Sequence, residues 1–426
     1  MGRGGAAGCA PLTAVSAATE PVRIERIAAG GDGVGRLEDG RTVFVPRSAP
    51  GDLVEAVHIR RERRFARAAV GRVLEPGDGR VDPPCPHYTR DRCGGCQLQH
   101  LDPAAQRRAR QGIAGDALRR LAALAVTDPP LVPAVAEWSY RSRITLHQGA
   151  NRQIGFHRQG EAGRVFELEH CHVAAPDLNS LWQHVQAQRG LLPARLDTLT
   201  LRRERSGTRH VIVRTPDAAW AGARDFAERM ATQDAVTWWE PATGVARIVT
   251  SSRSPRHATQ FPATVFEQVN PAMGDRVRQY AVDALGDVRG KTGWDLYAGI
   301  GEASVMLADR GAQVESVERD ARAVDLADRA GTPVRRHALS AEDAVRVLGP
   351  AEFVLANPPR VGLAPEVVAA IASRRPARLV YVSCDPATLA RDIRRLGPDW
   401  RLDAVTAFDL FPQTAHVECV AELRPA

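Results

Sequence analysis

Between residues 22 and 74, apolar positions alternate with charged ones in short runs, 22–27, 42–45, 53–59 and 68–74, parted by turn-forming residues. Period-two alternation predicts half-buried strands. The run Gly30-Gly31-Asp32-Gly33-Val34-Gly35 between the first two reads as a hairpin turn. Strands flank it on both sides and no helix follows, so it is not a phosphate cradle. Residues 20–75 are therefore expected to form a small β-barrel of OB type, whose outer face suits single-stranded nucleic acid. Residues 106–124 change to helical spacing (Ile113, Leu118, Leu121, Leu124), closed by Asp128-Pro129-Pro130. From 140 to 249 the pattern is again mostly that of strands, at 143–147, 198–202 and 209–213, with a helical interruption at 178–188. Beyond a Ser/Arg/Pro-rich stretch at 251–257, apolar strands and helices alternate to the end, the βαβ pattern of a parallel sheet. The expected architecture is multidomain α/β: a tail at 1–19, a barrel at 20–75, a central mostly-β domain at 76–255 and a Rossmann-like domain at 256–426.

Composition adds bounds. A chain of 426 residues exceeds one ordinary core, and 44% hydrophobic with 25% charged residues excludes wholesale disorder. No apolar run approaches the roughly 18 residues of a membrane span. The first nineteen residues are small and Gly/Ala-rich, without the apolar core of a signal peptide, and are expected to be a loose tail on a soluble, cytoplasmic protein. Formal charge is +7, and Lys291 is the single lysine among 57 basic residues. Arginines gather at 60, 61, 63, 64 and 67, at 141 and 143, and at 202, 203 and 205. Guanidinium forks suit phosphate, so a polyanion partner is expected.

Seven cysteines, an odd number in a large chain, do not form a disulfide framework. Cys85, Cys93 and Cys96 lie within twelve residues, the last two joined by Gly94-Gly95, and such a loop folds back to aim its sulfurs at one point. Cys171, in Glu169-His170-Cys171-His172, is the best fourth ligand. Four thiolates suit either Zn²⁺ or a [4Fe–4S] cluster, and the residues alone leave both open.

The C-terminal third carries the candidate chemistry. In Asp295-Leu296-Tyr297-Ala298-Gly299-Ile300-Gly301 a strand ends in a glycine turn that opens a helix, where backbone approaches a ligand closely. The next strand, 313–317, ends at Glu318, placed to accept ribose hydroxyls. A dinucleotide fingerprint wants a third glycine where Ser304 stands, which favours S-adenosylmethionine over NAD. Asn357-Pro358-Pro359-Arg360 and Ser383-Cys384-Asp385-Pro386 each follow an apolar strand, at the edge where ligands bind in this architecture. Taken alone, Cys384 reads equally as structural or as a nucleophile. Glu418 is expected in a terminal strand that is otherwise apolar, where an acid is functional or paired.

In order along the chain, Cys85-Pro-His-Tyr…Cys93-Gly-Gly-Cys96-Gln-Leu-Gln-His100, Phe266-Glu267-Gln268-Val269-Asn270, Asp295-Leu-Tyr-Ala-Gly299, Asn357-Pro-Pro-Arg360, Ser383-Cys-Asp-Pro386-x-Thr-Leu-Ala-Arg-Asp392 and Phe411-Pro-Gln-Thr-x-His416-x-Glu418 resemble the RNA uracil-C5 methyltransferases. The likeness is to the branch with an N-terminal TRAM barrel and a [4Fe–4S] cluster, which includes 23S rRNA enzymes, and it spans 21–423. It implies that Cys85, Cys93, Cys96 and Cys171 hold the cluster and that Gln268, Tyr297, Glu318 and Asn357 contact S-adenosylmethionine. It also implies that Cys384 is the nucleophile and Glu418 the general base. This chain departs from the family where Asn357 replaces the usual aspartate, removing a charge. It departs again at Glu302, which stands where an amide is common, and in the wider spacing of the first two ligand cysteines.

The implied reaction is thiolate addition to uracil C6, methyl transfer to C5, and proton loss to Glu418. A basic neighbour or helix N-terminus should help the thiol ionise, with Arg391 as candidate, and a paired uridine must be flipped or single-stranded. Two other classes are weighed. Amino-methyltransferases on adenine or cytosine carry an aromatic where Arg360 stands and need neither Cys384 nor Glu418. A non-catalytic RNA-binding factor needs only the barrel and the charge.

Overall fold

A computed structural model describes residues 19–242, 244, 246–251, 265–329 and 331–426. The expected tail and the 251–257 stretch, apart from Thr19 and Ser251, lie outside the described residues. Strands β1 (Glu20–Ile27), β2 (Asp32–Arg36), β3 (Thr42–Pro46), β4 (Leu53–Arg61) and β5 (Ala66–Glu75) close into a barrel in the order β1-β2-β3-β5-β4. The glycine run is a turn only at its start, where Gly31 N donates to the Ala28 carbonyl. From Asp32 it continues as β2, so the barrel has five strands where the pattern suggests four. Alternation fails here because glycines take the inward positions: a Cβ on Gly33 would lie 2.1 Å from Ser48 Oγ, and one on Gly35 would lie 2.5 Å from the Arg23 carbonyl.

The chain continues through α1 (Pro86–Thr89), α2 (Pro103–Leu121) and the short β6 (Leu131–Val132). The central sheet takes β7 (Arg143–Gln148), β8 (Ile154–Gly155), β11 (Thr198–Arg203), β12 (Arg209–Thr215), β13 (Ala235–Pro241) and β14 (Arg247–Ile248), in the order β14-β13-β12-β11-β7-β8. A separate hairpin pairs β9 (His157–Arg158) with β10 (Glu161–Val165). Helices α3 (Pro176–Ala187) and α4 (Ala223–Ala231) supply Trp182, Phe226 and Met230 to the core beside the central sheet. Neither α4 nor the parallel pairing of β12 with β13 is visible in the apolar alternation.

The C-terminal domain runs α5 (Pro271–Ala284), β15 (Thr292–Leu296), α6 (Glu302–Asp309), β16 (Gln313–Val317), α7 (Ala321–Arg329), β17 (Arg335–His337), α8 (Ala341–Ala344), β18 (Phe353–Ala356), α9 (Pro365–Arg374), β19 (Arg378–Ser383), α10 (Pro386–Leu396), β20 (Trp400–Phe408) and β21 (Glu418–Pro425). Its sheet is ordered β17-β16-β15-β18-β19-β21-β20-β6, parallel except for β21, which runs antiparallel to both neighbours. Strand order reverses between β15 and β18, and the crevice outside such a switch point is where ligands bind. None of the described helices is long and apolar enough to cross a membrane.

Packing crosses the chain order. β6 joins the C-terminal sheet through β20, and α2 places Ile113 and Leu118 in the same core as Leu389, Ile393 and Ala407. Barrel residues Ile27 and Ala49 reach that core as well. The deepest polar joint is also on α2. Gln106 and Arg110, one turn apart, are both buried and both grip residues 411–414, and Arg110 lies 3.3 Å from buried Asp409. Breaking a buried pair leaves an uncompensated charge. Arg110→Met should therefore cost about 3–5 kcal/mol in a denaturant titration, and adding Asp409→Leu should recover part of that loss.

Candidate active site

Each candidate group of the C-terminal domain sits at the carboxyl edge of the parallel strands. Tyr297–Gly301 follows β15, Glu318 follows β16, Asn357–Arg360 follows β18 and Cys384 follows β19. Strand register brings the thiol and the acid together. In the antiparallel ladder of β19 with β21, Leu379 pairs with Leu423 and the last pair is Ser383 with Cys419. One step further the same register sets Cys384 opposite Glu418, which opens β21 at the end of the 411–417 loop and is not embedded in the strand.

Cys384 is half-buried in a tight turn. Asp385 N donates to Ser383 Oγ at 3.2 Å, Ser383 Oγ donates to the Asp385 carbonyl at 3.0 Å, and Asp385 caps α10 by accepting from Thr388 N at 2.9 Å. Burial and the Glu418 carboxylate push the thiol up from its ordinary range, and the Arg360 guanidinium draws it back. Glu418 is 2% exposed, and burial pushes its carboxyl up to about 8, again opposed by Arg360. The structure replaces Arg391 as the cation of this site. Its guanidinium is committed to Asp392 at 2.9 Å and to the Val361 carbonyl at 2.6 Å. Arg360 instead faces Cys384 and Glu418 and meets His416 Nε2 at 3.4 Å. Burial and Arg360 hold that imidazole down to about 4, so it is neutral at physiological pH. Arg360 and His416 both stand in the motifs quoted above, yet nothing in linear order shows that one guanidinium serves thiol, acid and imidazole together.

The second half of the crevice is built on β15 and β16. Asp295 is buried and its carboxyl is pushed up to about 6 by burial, and it accepts from Ser304 Oγ at 2.5 Å. That bond ties the strand end to α6 and explains a serine where a dinucleotide site would need glycine. Tyr297, Gly299 and Gly301 all take positive φ, of 63°, 58° and 76°. For tyrosine this is a strained conformation that the surroundings must enforce. A Cβ on Gly299 would meet open space, so the turn is uncovered on that side. The buried Tyr297 hydroxyl has no hydrogen-bond partner among the described residues. Glu318 bridges the turn, accepting from Gly299 N at 3.0 Å and from Asp320 N at 2.9 Å. Gln268 precedes α5 and packs against Gly274, where a Cβ would come within 2.9 Å of its own. The Asn357 backbone amide donates to the Leu296 carbonyl while its side chain is exposed. Glu302 is neutralised by Arg278 and, at 3.5 Å, by Arg205.

The four sequence-predicted ligand cysteines are free thiols, and they neighbour one another. Cys85 and Cys96 are buried with Tyr88, Tyr140 and Val173, and half-buried Cys171 packs on the same cluster. Burial pushes Cys93 up to about 12, and the charges of Cys171 and Cys85 add to this. Among the described residues no three His, Cys, Asp or Glu side chains converge closely enough to hold a metal ion.

The fold, a Rossmann-like catalytic sheet joined to a small β-barrel, is shared with the tRNA (uracil-54, C5)-methyltransferase of Pyrococcus abyssi solved with S-adenosyl-L-homocysteine. That match has a TM-score of 0.71 and 22% identity and covers 95% of this chain and 99% of that one. Residues 350–424 match the tRNA (Uracil-5-)-methyltransferase family, and residues 17–70 match the TRAM domain. A 23S rRNA (uracil(1939)-C(5))-methyltransferase of Thiobacillus denitrificans is 31% identical over 92% of this chain and 96% of its own. An RNA methyltransferase of Streptomyces coelicolor is 30% identical over 95% and 92% respectively. A methyltransferase architecture is thereby established. The chain belongs to the TRAM-containing RNA uracil-C5 methyltransferases and is an enzyme of that family.

The buried acid has a measurable signature. Below about pH 4.5 Glu418 is protonated in both folded and unfolded chains. Between there and about 8 only the folded chain keeps the proton, so stability falls as pH rises through that window. Glu418→Gln removes this dependence. The melting temperature of the variant relative to the parent should climb across the same interval and level off above it.

Proposed function

We propose that the protein methylates C5 of a specific uridine in RNA, using S-adenosylmethionine, through a covalent bond between Cys384 and uracil C6. The observation that carries this reading is the register that sets Cys384 opposite Glu418, with Arg360 beside both. The Cys384 thiolate adds to C6, and the C5–C6 π pair moves to C5 and O4. S-adenosylmethionine, when bound, supplies the methyl group that C5 takes. The Glu418 carboxylate then accepts the C5 proton, the C5–C6 double bond re-forms, and the C6–S bond breaks to return the thiolate. Arg360 offsets the negative charge that moves from sulfur to ring and back.

The strand-edge residues suit the donor. Glu318 offers its carboxylate to ribose hydroxyls, the open face of Gly299 admits a ligand, and the orphan Tyr297 hydroxyl has an unmet bond to give. Gln268 and Asn357 complete the proposed set. Asn357 keeps a hydrogen-bonding edge without the usual aspartate charge. Cys85, Cys93, Cys96 and Cys171 form an all-sulfur donor set that suits an iron–sulfur cluster. Zn²⁺ is the second candidate for the same four thiols. A cluster here would hold the loop in shape, since methyl transfer involves no net redox change. We take 20–75, 76–255 and 256–426 as the domain divisions, with α2 and β6 packed on the third.

The target proposed is 23S rRNA, because the relative so named is matched over more than nine-tenths of both chains. A tRNA uridine is the second reading, favoured by the family profile on 350–424. Mapping 5-methyluridine in rRNA and tRNA from cells with and without this gene separates them. The chemistry is tested with 5-fluorouracil-substituted RNA, which should trap the protein as a covalent adduct, while Cys384→Ala should neither trap nor methylate. Glu418→Gln should lower turnover by about 10²–10⁴-fold and accumulate a methylated adduct. Because both groups must lose a proton and both are pushed up, the parent's rate should rise from pH 6 toward about 8. Undiminished methylation by Cys384→Ala would end the proposal.

A further inference from the structure

Buried or half-buried cations in folded proteins normally pair with an anion, and two arginines beside the catalytic crevice make no ion pair among the described residues. Residues 140–143 run along the crevice wall. The Tyr140 hydroxyl donates to the Pro412 carbonyl at 2.9 Å, and Ser142 N and Oγ both donate to the Val269 carbonyl, next to Gln268. Arg141 stands close enough to Arg143 for its charge to disfavour the charged form of that guanidinium. The Arg141 guanidinium carbon lies 5.8 Å from the centroid of the Phe411 ring, and its buried Nε has no hydrogen-bond partner among the described residues. Arg143 is half-buried, and its guanidinium makes neither hydrogen bond nor ion pair among the described residues.

The strand register makes matters worse for Arg143. Directly across from it on β11 is Arg202, and like charges in that position repel. The carboxylate facing Arg143 is Glu267, which already accepts from Arg202 at 2.8 Å and pairs with Arg205 at 3.6 Å. Burial and the guanidiniums of Arg202 and Arg141 accordingly disfavour the charged form of Arg143. Arg141 also acts on the buried thiols of Cys96 and Cys171, whose charged forms it favours. Residues 1–18, 243, 245, 252–264 and 330, which lie outside the described set, contain no aspartate or glutamate.

Building on the RNA methylation reading above, we propose that Arg143, with Arg141 beside it, binds a phosphate of the RNA backbone adjacent to the target nucleotide. A guanidinium fork pairs with two phosphate oxygens at once, and the crevice wall is where the backbone must pass if a base is to enter between Cys384 and Glu418. Neutralisation is thus left to the substrate, at the expense of the free protein.

The test uses binding and stability, which need no turnover, so its outcome is independent of whether Cys384 chemistry is as described. Arg143→Met and Arg143→Lys are compared with the parent for affinity to a fluorescein-labelled single-stranded RNA across a salt series, and for melting temperature without RNA. Arg143→Met should bind the RNA about 10-fold more weakly near 0.1 M salt and lose about one unit from the slope of log K against log salt. It should melt no lower than the parent, because a repelled charge has been removed, and Arg143→Lys should regain most of the slope. A fall in melting temperature with an unchanged slope would make Arg143 a structural residue and overturn the proposal. So would an unchanged slope with weakened binding of S-adenosylhomocysteine, which would assign the guanidinium to the cofactor's carboxylate.

Discussion

The loop at 411–417 decides where the acid stands, and a set of buried amide and guanidinium bonds decides where the loop stands. Gln106 and Gln413 exchange hydrogen bonds: Gln413 N donates to Gln106 Oε1 at 2.9 Å and Gln106 Nε2 donates to Gln413 Oε1 at 2.8 Å. The Gln413 carbonyl takes the amides of Gln97 and Leu98, and Arg110 Nε reaches the Thr414 carbonyl at 3.0 Å. The barrel approaches too closely for any side chain at Gly31, whose Cβ would fall 2.6 Å from that of Gln97 and 3.2 Å from that of Ala415. Barrel, cysteine loop and catalytic sheet therefore meet at one point, four residues from Glu418. In a buried network each unmade bond is costly, so these exchanged bonds hold the joint rigid, while Arg110 Nη1 and Asp409 Oδ1 meet only as a charge pair at 3.3 Å.

Rigidity there matters because the pair it positions resists being assembled. The Glu418 carboxylate raises the neighbouring thiol, and burial raises both groups. Left alone both would stay largely protonated at neutral pH, and neither would be ready for the role proposed for it. Arg360 opposes this without abolishing it, since its effect is weaker than that of burial. The neutral state of His416 fits the same balance: a charged imidazole 3.4 Å from Arg360 would repel it from the site. The electrostatics thus leave the acid at about 8, in the range where the proton acceptor proposed here would be most effective.

Much of this was legible in the chain, and the limits have physical causes. Strands flanked by clear turns were placed within a residue or two, as at β16, which coincides with 313–317, and β7, which extends 143–147 by one residue. The fifth barrel strand was missed because glycines hide the alternation of β2. Helix α4 has an apolar face of Phe226, Ala227, Met230 and Ala231, but at nine residues within a stretch dominated by strands it is too short to stand out. At the site, motif order pointed to Cys384 and Glu418 separately, but their opposition is a property of the β19–β21 register, which no local pattern encodes. Arg391, the cation expected beside the thiol, stands in α10, which begins two residues after Cys384. Its partner Asp392 is buried and claims it, whereas Arg360 comes from another strand end.

The placement of the four thiols bears on how a metal centre would influence a reaction that passes no electrons through it. Cys96 is followed immediately by Gln97 and Leu98, whose amides hold the Gln413 carbonyl, and the Gln97 side chain links Gly94 of the cysteine loop to Ala415 of the catalytic loop. From the opposite side Arg47 of the barrel bonds the Tyr88 carbonyl and, at 3.3 Å, the Cys93 carbonyl. A centre that fixes this loop would act on catalysis through position alone: it would set Gln97, Gln97 would set the 411–417 loop, and the loop would set Glu418 against Cys384. Loss of such a centre should then appear first as misplacement of the acid, with the crevice on β15 and β16 left intact, because the bonds from Gly299 N to Glu318 and from Ser304 Oγ to Asp295 join residues outside the cysteine loop.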